Sequence, residues 1–343
     1  METEAIYQKR EKLKNRYNLF KFISKIDTFT KLDISNALNL SIPTVSKIVD
    51  DFLSESLIIE IGASEGGLGR KSAIYKYNPN AFYSLGILIE SCSIKFLIVN
   101  LNGDEIKKTI LKKISLTEES IPTITKELKL FVQSFETSSL IKGIGISVPA
   151  IKLKNENFNS LIDELKSRIY QETKIKVLID RIGKTGAIFE YSKNSENTIA
   201  FLNIGNNIEE VEMALIVDGK PLGNGKFIEK LNPDISNRAL TEKFQSIGNE
   251  NNIKEFNDIF NSDLVNTEQG KSLFDEYMSN ITTLLKSVQM IADVEKIVVG
   301  GAIAKYAAKI ENIFSFNEVE FSENHEDSIL IGAAFLPLKE YFL

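Results

Sequence analysis

Hydroxyl-bearing and cationic side chains are concentrated in two short stretches between residues 41 and 71. These groups donate hydrogen bonds to phosphate oxygens and to the acceptor edges of bases, which is the chemistry of a DNA contact. The six candidates are Ser41, Thr44, Ser46, Lys47, Arg70 and Lys71. A histidine-based catalytic triad has no comparable support, because the chain contains one histidine.

Two short helices joined by a tight turn are predicted to carry the first four of these residues. In the second helix, Ser41 is suited to cap the N-terminus, and Pro43 falls in the first turn, where its missing N–H costs nothing. The following apolar residues have helical spacing: Val45, Ile48, Val49, Phe52 and Leu53. This arrangement predicts a helix-turn-helix that enters a major groove. The alternative is a two-helix packing unit followed by an ordinary hairpin.

The last two candidates lie in a predicted β-hairpin that follows the second helix. Residues 57–61 and 73–77 have the composition of strands, and a glycine-rich turn separates them. Glycines allow the backbone to approach DNA closely. Arg70 can then enter a narrow minor groove while Lys71 contacts the DNA backbone. The sequence therefore predicts a winged helix-turn-helix with a basic wing tip.

A long helix over residues 5–26 is predicted to precede this unit. Its first half carries five cations, which are Lys9, Arg10, Lys12, Lys14 and Arg16. Such side chains can contact phosphates and fix position without reading sequence. The alternative is that they form a solvated helix face.

Composition separates this N-terminal part from the rest of the chain. The 343 residues carry a net charge of −6, of which residues 1–76 contribute +2 and the remainder −8. This asymmetry suits a small nucleic-acid module joined to an acidic body. A single cysteine, Cys92, excludes an intrachain disulfide. No apolar run approaches a membrane span, and the N-terminus lacks the apolar core of a signal peptide, so we expect a cytoplasmic protein without membrane association.

The body contains a repeated α/β pattern. Strands, an Asn102-Gly103 turn and helices occupy residues 84–191, and a similar opening with an Asp218-Gly219 turn begins at residue 198. This repetition predicts two similar α/β lobes around a cleft. We therefore expect a winged helix-turn-helix domain at 1–77, a first lobe at 78–190 completed by the C-terminal helix 326–343, and a second lobe at 191–325 with dimerisation helices.

Several motifs resemble one protein family over nearly the whole chain. These are SIPTVSKIV before GGLGRK, GIGISVPA at residues 143–150, IVVGGAI at 297–303 and IGAA at 331–334. Together they resemble the ROK family (repressors, open reading frames and kinases), and specifically its repressors of sugar operons. The resemblance implies a duplicated actin-like, ribonuclease H-like fold, a double-stranded DNA operator, a sugar-derived effector, and a homodimer or dimer of dimers.

The sequence departs from the family's kinases at three motifs. Aligned on Gly86, Leu88 stands where the family has Asp, and Glu90 stands where it has glycine. The Asn-Asp pair that supplies the catalytic base falls on Arg181 and Ile182, and isoleucine cannot accept a proton. Two carboxylates, at residues 209–210, replace a glycine-rich phosphate loop. These changes argue against ATP-dependent phosphorylation and predict that the protein is not an enzyme.

The family's zinc and sugar elements are also altered. Pro233, Ile235 and Leu240 occupy cysteine positions, and His325 and Cys92 are the only histidine and cysteine of the chain, so we expect neither metal nor cofactor. The His-containing sugar element falls at 224–231, where no histidine occurs.

Three residues remain candidates for an effector site: Arg181, Glu190 and Glu242. Glu242 matches a family glutamate that contacts sugar hydroxyls, and the Arg181 guanidinium suits a carboxylate or phosphate. The simpler interpretation of Arg181 is that it points to solvent or pairs with Glu190.

Two other interpretations of the whole chain remain open. One is a ROK-type sugar kinase, similar to glucokinase or N-acetylglucosamine kinase, that carries an N-terminal extension. The other is a regulator whose body has become a dimerisation and protein-docking platform, with constitutive DNA binding.

Overall fold

The computed structural model describes residues 2–63, 72–150, 152–194, 196–206, 211–222, 233–248, 252–310, 319–325 and 327–342. The N-terminal unit, called the head here, contains helices α1 (Glu2–Ile23), α2 (Lys31–Leu38) and α3 (Ile42–Ser54) and the antiparallel strands β1 (Ile58–Ala63) and β2 (Ala73–Tyr77). Phe29 pairs with Tyr75 as an isolated bridge beside β2, so the hairpin is joined to the α1–α2 segment.

The local signals in the head explain these boundaries. Thr30 and Asp33 form a capping box at the start of α2, and Asn39 ends it in the left-handed conformation with φ 51°. Ser41 caps α3 by accepting a hydrogen bond from the Thr44 N–H at 3.3 Å. One sequence expectation was wrong, because α1 ends at Ile23, three residues before the predicted end at residue 26.

The body is built from two five-stranded sheets with the same strand order. The first contains β3 (Tyr83–Ile89), β4 (Ser93–Asn100), β5 (Glu105–Lys112), β6 (Ile141–Val148) and β7 (Val177–Arg181) in the order β5-β4-β3-β6-β7. The second contains β8 (Thr198–Ile204), β9 (Val211–Val217), β10 (Lys220–Leu222), β11 (Lys296–Gly301) and β12 (Val319–Phe321) in the order β10-β9-β8-β11-β12. In each sheet, neighbouring strands among the first three of the order are antiparallel, and each of the last two strands is parallel to the strand before it. The predicted duplication is confirmed.

Helices cover and connect the sheets. They are α4 (Ile121–Gln133), α5 (Glu156–Thr173), α6 (Ile182–Lys193), α7 (Asn237–Gly248), α8 (Phe256–Asn261), α9 (Glu268–Ala292), α10 (Ala307–Ile310) and α11 (Asp327–Phe342). Short 3₁₀ segments lie at Ser138–Leu140, Lys152–Lys154, Pro233–Ile235, Asp263–Asn266 and Ala302–Tyr306. In the part of the chain described above, no helix is long and apolar enough to cross a membrane.

Local hydrogen bonds set two boundaries in the body. Helix α5 begins at Glu156 because the Asn155 side chain accepts hydrogen bonds from two backbone N–H groups of its first turn. Residues 220–222 form an edge strand that pairs with β9. The Asp218-Gly219 turn that precedes this strand has φ of 49° and 75°, as a tight two-residue hairpin turn requires.

Helix α11 brings the end of the chain back to the first sheet. It packs on α6 and on strands β3, β4 and β6. The approach is so close that a Cβ at Gly145 or Gly332 would lie far inside 3.0 Å of a backbone carbonyl, from Ala333 and Thr185 respectively. The glycines of the GIGISVPA and IGAA motifs therefore allow backbone-to-backbone contact. The domain boundaries given above, at 77 and 190, stay a prediction.

Candidate DNA-binding surface and inter-lobe cleft

The N-terminal end of α3 is an exposed polar surface. Val45, Ile48, Val49 and Phe52 are buried on the opposite face of the helix, which fixes its rotation. Ser41 and Lys47 are exposed, and Thr44 and Ser46 are half-buried. The hydroxyls of Ser41 and Thr44 are hydrogen-bonded to each other at 2.8 Å, so the structure brings this pair together at the helix start.

Lys47 is the cation that this surface presents directly to solvent. It takes part in no ion pair or hydrogen bond with the residues that the structure describes, and it lies one turn after Thr44. The neighbouring Lys31, by contrast, is 3.2 Å from the Asp50 carboxylate. Arg70 and Lys71 lie outside the described residues, so the structure does not place the wing tip.

The basic stretch of α1 is only partly available to DNA. Lys12 and Lys14 are exposed. Arg16 is not, because its guanidinium donates to the Glu55 carboxylate and stacks 4.8 Å from the centre of the Phe52 ring. The expectation that Arg16 contacts phosphate was therefore wrong, and Arg16 fixes α1 against the end of α3. The side chains of Lys9 and Arg10 lie outside the description.

A glutamate that the sequence analysis did not single out joins the two lobes. Glu212, on β9 of the second lobe, accepts a hydrogen bond from the Gly183 N–H at 2.9 Å and another from the Ala150 N–H. Gly183 lies in the first turn of α6 and Ala150 follows β6, so one carboxylate joins both lobes. Backbone N–H groups at a helix start otherwise bind anions. The only sequence signal was an acidic residue inside an apolar strand.

Burial decides the electrostatics of Glu212. The residue is 7% exposed, and burial raises the pKa of its carboxyl, although the two backbone hydrogen bonds and the charge of Arg181 oppose the rise. Arg181 ends β7 beside this carboxylate, and its buried Nη1 has no hydrogen-bond partner among the described residues. Asp180 accepts from the Arg181 backbone N–H at 3.0 Å and pairs with Lys184 at 2.6 Å.

The three predicted effector residues do not form a cluster. Arg181 immediately precedes α6 and Glu190 lies in its last turn, so about nine residues and roughly 13 Å of helix separate them. Glu190 is buried, with burial as the main cause of its raised pKa, and it accepts a hydrogen bond from the Ser322 hydroxyl. Of the two simpler interpretations of Arg181, the pair with Glu190 is therefore not formed in the structure. Glu242 is exposed on α7, and within the described chain no hydrogen bond or ion pair joins it to either residue.

The altered kinase positions have these surroundings. Ile182 is 1% exposed at the start of α6. Glu90 binds Lys95 at 2.6 Å and accepts a hydrogen bond from Ser93.

Asn237, which matches the family's zinc loop, is buried. Its side chain donates to the Gly205 carbonyl at 2.6 Å and accepts from the Tyr277 hydroxyl at 2.9 Å. Residues 207–210 and 223–232 lie outside the described residues, so the acidic loop and the 224–231 element are not located. His325 is exposed, as expected.

Replacing Glu212 with alanine is expected to lower the free energy of unfolding by about 2–4 kcal/mol, because two buried N–H groups lose their acceptor. Glutamine should cost less, since one of its two oxygens is kept. A raised native pKa means that the folded state retains a proton which the unfolded chain releases, so the carboxyl's contribution is full below about 4.5 and is lost as pH rises. Urea titrations at about pH 4, 5, 6 and 7 measure the free energy of unfolding. The difference in this free energy between wild type and Glu212→Gln should become smaller as the pH rises. A widening gap would contradict the assignment.

Comparisons with known proteins place the fold. No protein-family model matches the chain. The xylose repressor of Bacillus subtilis (strain 168) is 28% identical over 201 residues, which cover 54% of this chain and 51% of that protein. The xylose repressor of Staphylococcus xylosus is 26% identical over 273 residues, which cover 74% and 65%. The chain thus spans about half the length of the first of these curated relatives.

Solved structures extend the likeness to nearly the whole chain. A crystal structure of a ROK family transcriptional regulator, a homolog of the E. coli MLC protein, has a TM-score of 0.72 at 16% identity and covers 96% of this chain and 97% of that one. A ROK family glucokinase from Streptomyces griseus has a TM-score of 0.58 at 14% identity and covers 75% and 99%. The predicted fold, a winged helix-turn-helix followed by an actin-like two-lobed ROK body, is confirmed, as is the resemblance to this family.

Proposed function

We propose that this chain is a DNA-binding transcriptional regulator of the ROK type, a repressor of carbohydrate-related genes. The observation that carries the proposal is the exposed N-terminal end of α3, where the Ser41 and Thr44 hydroxyls and the unpaired Lys47 ammonium lie together on one surface. The printed names of the sequence relatives, which are xylose repressors, support the same function.

In the proposed complex, α3 lies in the major groove. Thr44 and Lys47, one helical turn apart, contact base edges, while Ser41 and Ser46 contact phosphates. Lys12 and Lys14 on α1 are exposed and free to approach the DNA backbone. Two copies of the chain, as a homodimer or a dimer of dimers, present two such helices to half-sites about one turn of DNA apart.

The wing supplies the remaining contacts in this proposal. Residues 64–71 lie between β1 and β2 in the sequence, and we assign Arg70 to the flanking minor groove and Lys71 to the DNA backbone. Arg70→Ala is expected to weaken binding most on operators with A/T-rich flanks, where the narrow groove concentrates negative potential. Anisotropy titrations on duplexes that differ only in the flanks measure this. An equal affinity of wild type and variant on both duplexes would remove the wing from the mechanism.

The body is proposed to sense a sugar-derived effector without catalysing a reaction. Support comes from the site of the missing base, where Ile182 is buried and the Glu212 carboxylate occupies the adjacent backbone N–H groups. Among the proposed effector residues, Arg181 has an unused buried donor, whereas Glu190 is engaged by Ser322. An effector shifts the spacing of the two heads only by its difference in affinity for the two states.

The alternative function is a sugar kinase with an added head, and the likeness of the body to the glucokinase favours it. This alternative predicts ATP consumption with a hexose or N-acetylhexosamine. A coupled assay over a sugar panel distinguishes the two functions, because the regulator shows sugar-dependent thermal stabilisation without turnover. Absence of any stabilisation favours the docking-platform variant of the regulator.

Selection from genomic DNA tests the central proposal. The purified protein is mixed with sheared genomic fragments at two salt concentrations, and the bound fragments are sequenced. We expect a palindrome with A/T-rich arms that is recovered at both salt concentrations. Diffuse binding that vanishes at the higher salt would mean phosphate attraction alone and would overturn the proposal.

A further inference from the structure

A cavity of about 340 Å³ lies where the head meets the body. Helix α1 and the turn that follows it form one side through Phe20, Lys21, Ser24 and Lys25, and the other sides come from the β4–β5 turn, α6, β9 and α11. This volume is within the range of sites that hold small molecules. We call it the junction cavity.

One part of the junction cavity is lined by apolar side chains. Six lining residues have wholly apolar side chains: Phe20, Leu101, Ile188, Ile216, Phe335 and Leu338. The other lining residues carry hydroxyl, amide or ammonium groups: Tyr17, Lys21, Ser24, Lys25, Asn102, Tyr191, Ser192 and Lys193. A matching ligand therefore combines an apolar body with a polar or charged group.

One edge of the cavity is positively charged. Lys21 and Lys25 both line it, and neither ammonium forms an ion pair within the described part of the chain. Burial and, to a smaller extent, the charge of Lys25 lower the pKa of Lys21. The third lysine, Lys193, is already bound to Asn324 at 2.8 Å and lies 3.6 Å from Glu323.

Two tyrosines orient this edge. The Lys21 ammonium lies 4.9 Å from the centre of the Tyr191 ring, which holds it at the cavity wall. Burial raises the pKa of the Tyr17 hydroxyl, so this group remains a neutral hydrogen-bond donor. The cavity lining therefore offers two ammonium groups, of Lys21 and Lys25, and the Tyr17 hydroxyl to an anionic ligand.

We propose that the junction cavity binds an amphipathic monoanion, a carboxylate or sulfonate attached to an apolar body, at a site separate from the inter-lobe cleft. The anionic group lies against Lys21 and Lys25, and the apolar body fills the space between Phe20, Ile188 and Phe335. Such a ligand contacts α1 and the body at once, so it restricts the movement of the head. The inference goes beyond the proposed function and does not depend on DNA binding.

The test uses two fluorescent probes that differ in charge. Anilinonaphthalene sulfonate carries the anionic group, and the neutral N-phenylnaphthylamine has the same aromatic body. The full chain is titrated with each probe, as wild type, as the double variant Lys21→Gln/Lys25→Gln and as the matched control Lys12→Gln/Lys14→Gln. The control removes two exposed lysines of α1 that do not line the cavity.

We expect one sulfonate probe to bind per chain and the Lys21→Gln/Lys25→Gln variant to bind it at least about tenfold more weakly, which corresponds to about 1.4 kcal/mol. The control variant should bind as wild type does, and the neutral probe should bind wild type and both variants equally. An unchanged sulfonate affinity in Lys21→Gln/Lys25→Gln, or an equal loss in the control, would overturn the proposal.

A second variant tests the location independently of charge. Ser24→Trp adds an indole to the cavity wall, and we expect it to abolish binding of both probes while the thermal unfolding midpoint stays close to that of wild type. Undiminished binding of both probes to folded Ser24→Trp would show that they bind elsewhere and would also overturn the proposal.

Discussion

Replacing Lys47 with alanine should weaken binding to the selected operator by about 10- to 100-fold, corresponding to about 1–3 kcal/mol for one base-edge contact. The reason is that Lys47 is exposed on the side of α3 that we propose enters the groove, and in the described part of the protein it has no partner that would compete for it. Anisotropy titrations with the operator and with a scrambled duplex of the same length measure the effect.

The specific and electrostatic parts of this effect can be separated. Lys126→Ala removes the same charge from an exposed position on α4 of the body and should leave operator affinity unchanged. If Lys47 contacts bases, its loss weakens operator binding more than scrambled binding. An equal loss on both duplexes would reassign Lys47 to a phosphate, and no loss on either would remove α3 from the interface.

Gly145→Ala is expected to have the largest effect on stability, a loss of at least about 3 kcal/mol in the free energy of unfolding. The added Cβ would overlap the Ala333 carbonyl, a backbone atom of α11 that cannot turn aside. The consequence should be displacement of α11 from the first sheet. Urea unfolding measures the loss, and proteolysis near the C-terminus reports the displacement.

Gly219→Ala is the matched control for this substitution. Gly219 has φ 75° in the β9–β10 turn, and a Cβ there meets nothing closer than 3.6 Å. We expect it to cost about 1–2 kcal/mol from backbone conformation alone. If both alanine variants are destabilised equally, the close approach of α11 is not what makes glycine necessary at position 145.

The elements that depend on local chemistry could be predicted from the sequence. The Ser41 cap, the buried face of α3 and the Asp218-Gly219 turn each depend on residues within a few positions of one another. The duplication was also visible, because the turn after the second strand recurs at the same place in both lobes. Strands β8 and β9 also begin and end where the local sequence pattern predicts.

The contacts that the sequence analysis missed join residues far apart in the chain. Arg16 meets Glu55, 39 residues away, and Glu212 meets Ala150, 62 residues away. Contacts between residues so far apart in the chain leave no periodic pattern in the sequence. The possible Arg181–Glu190 pair is not formed, because Arg181 immediately precedes α6 and Glu190 lies in the last turn of that helix. The proposed DNA contacts and effector residues stay predictions.

The return of α11 to the first sheet has a consequence for the order in which the protein forms during synthesis. The Ser84 hydroxyl donates to the Ala334 carbonyl at 2.6 Å, so this partner of β3 is synthesised 250 residues after Ser84. The elements of the head, in contrast, all lie within the first 77 residues. Because domains fold in the order in which they leave the ribosome, we expect a nascent chain to possess a folded head, which we propose binds DNA, long before the body that we propose regulates it is complete.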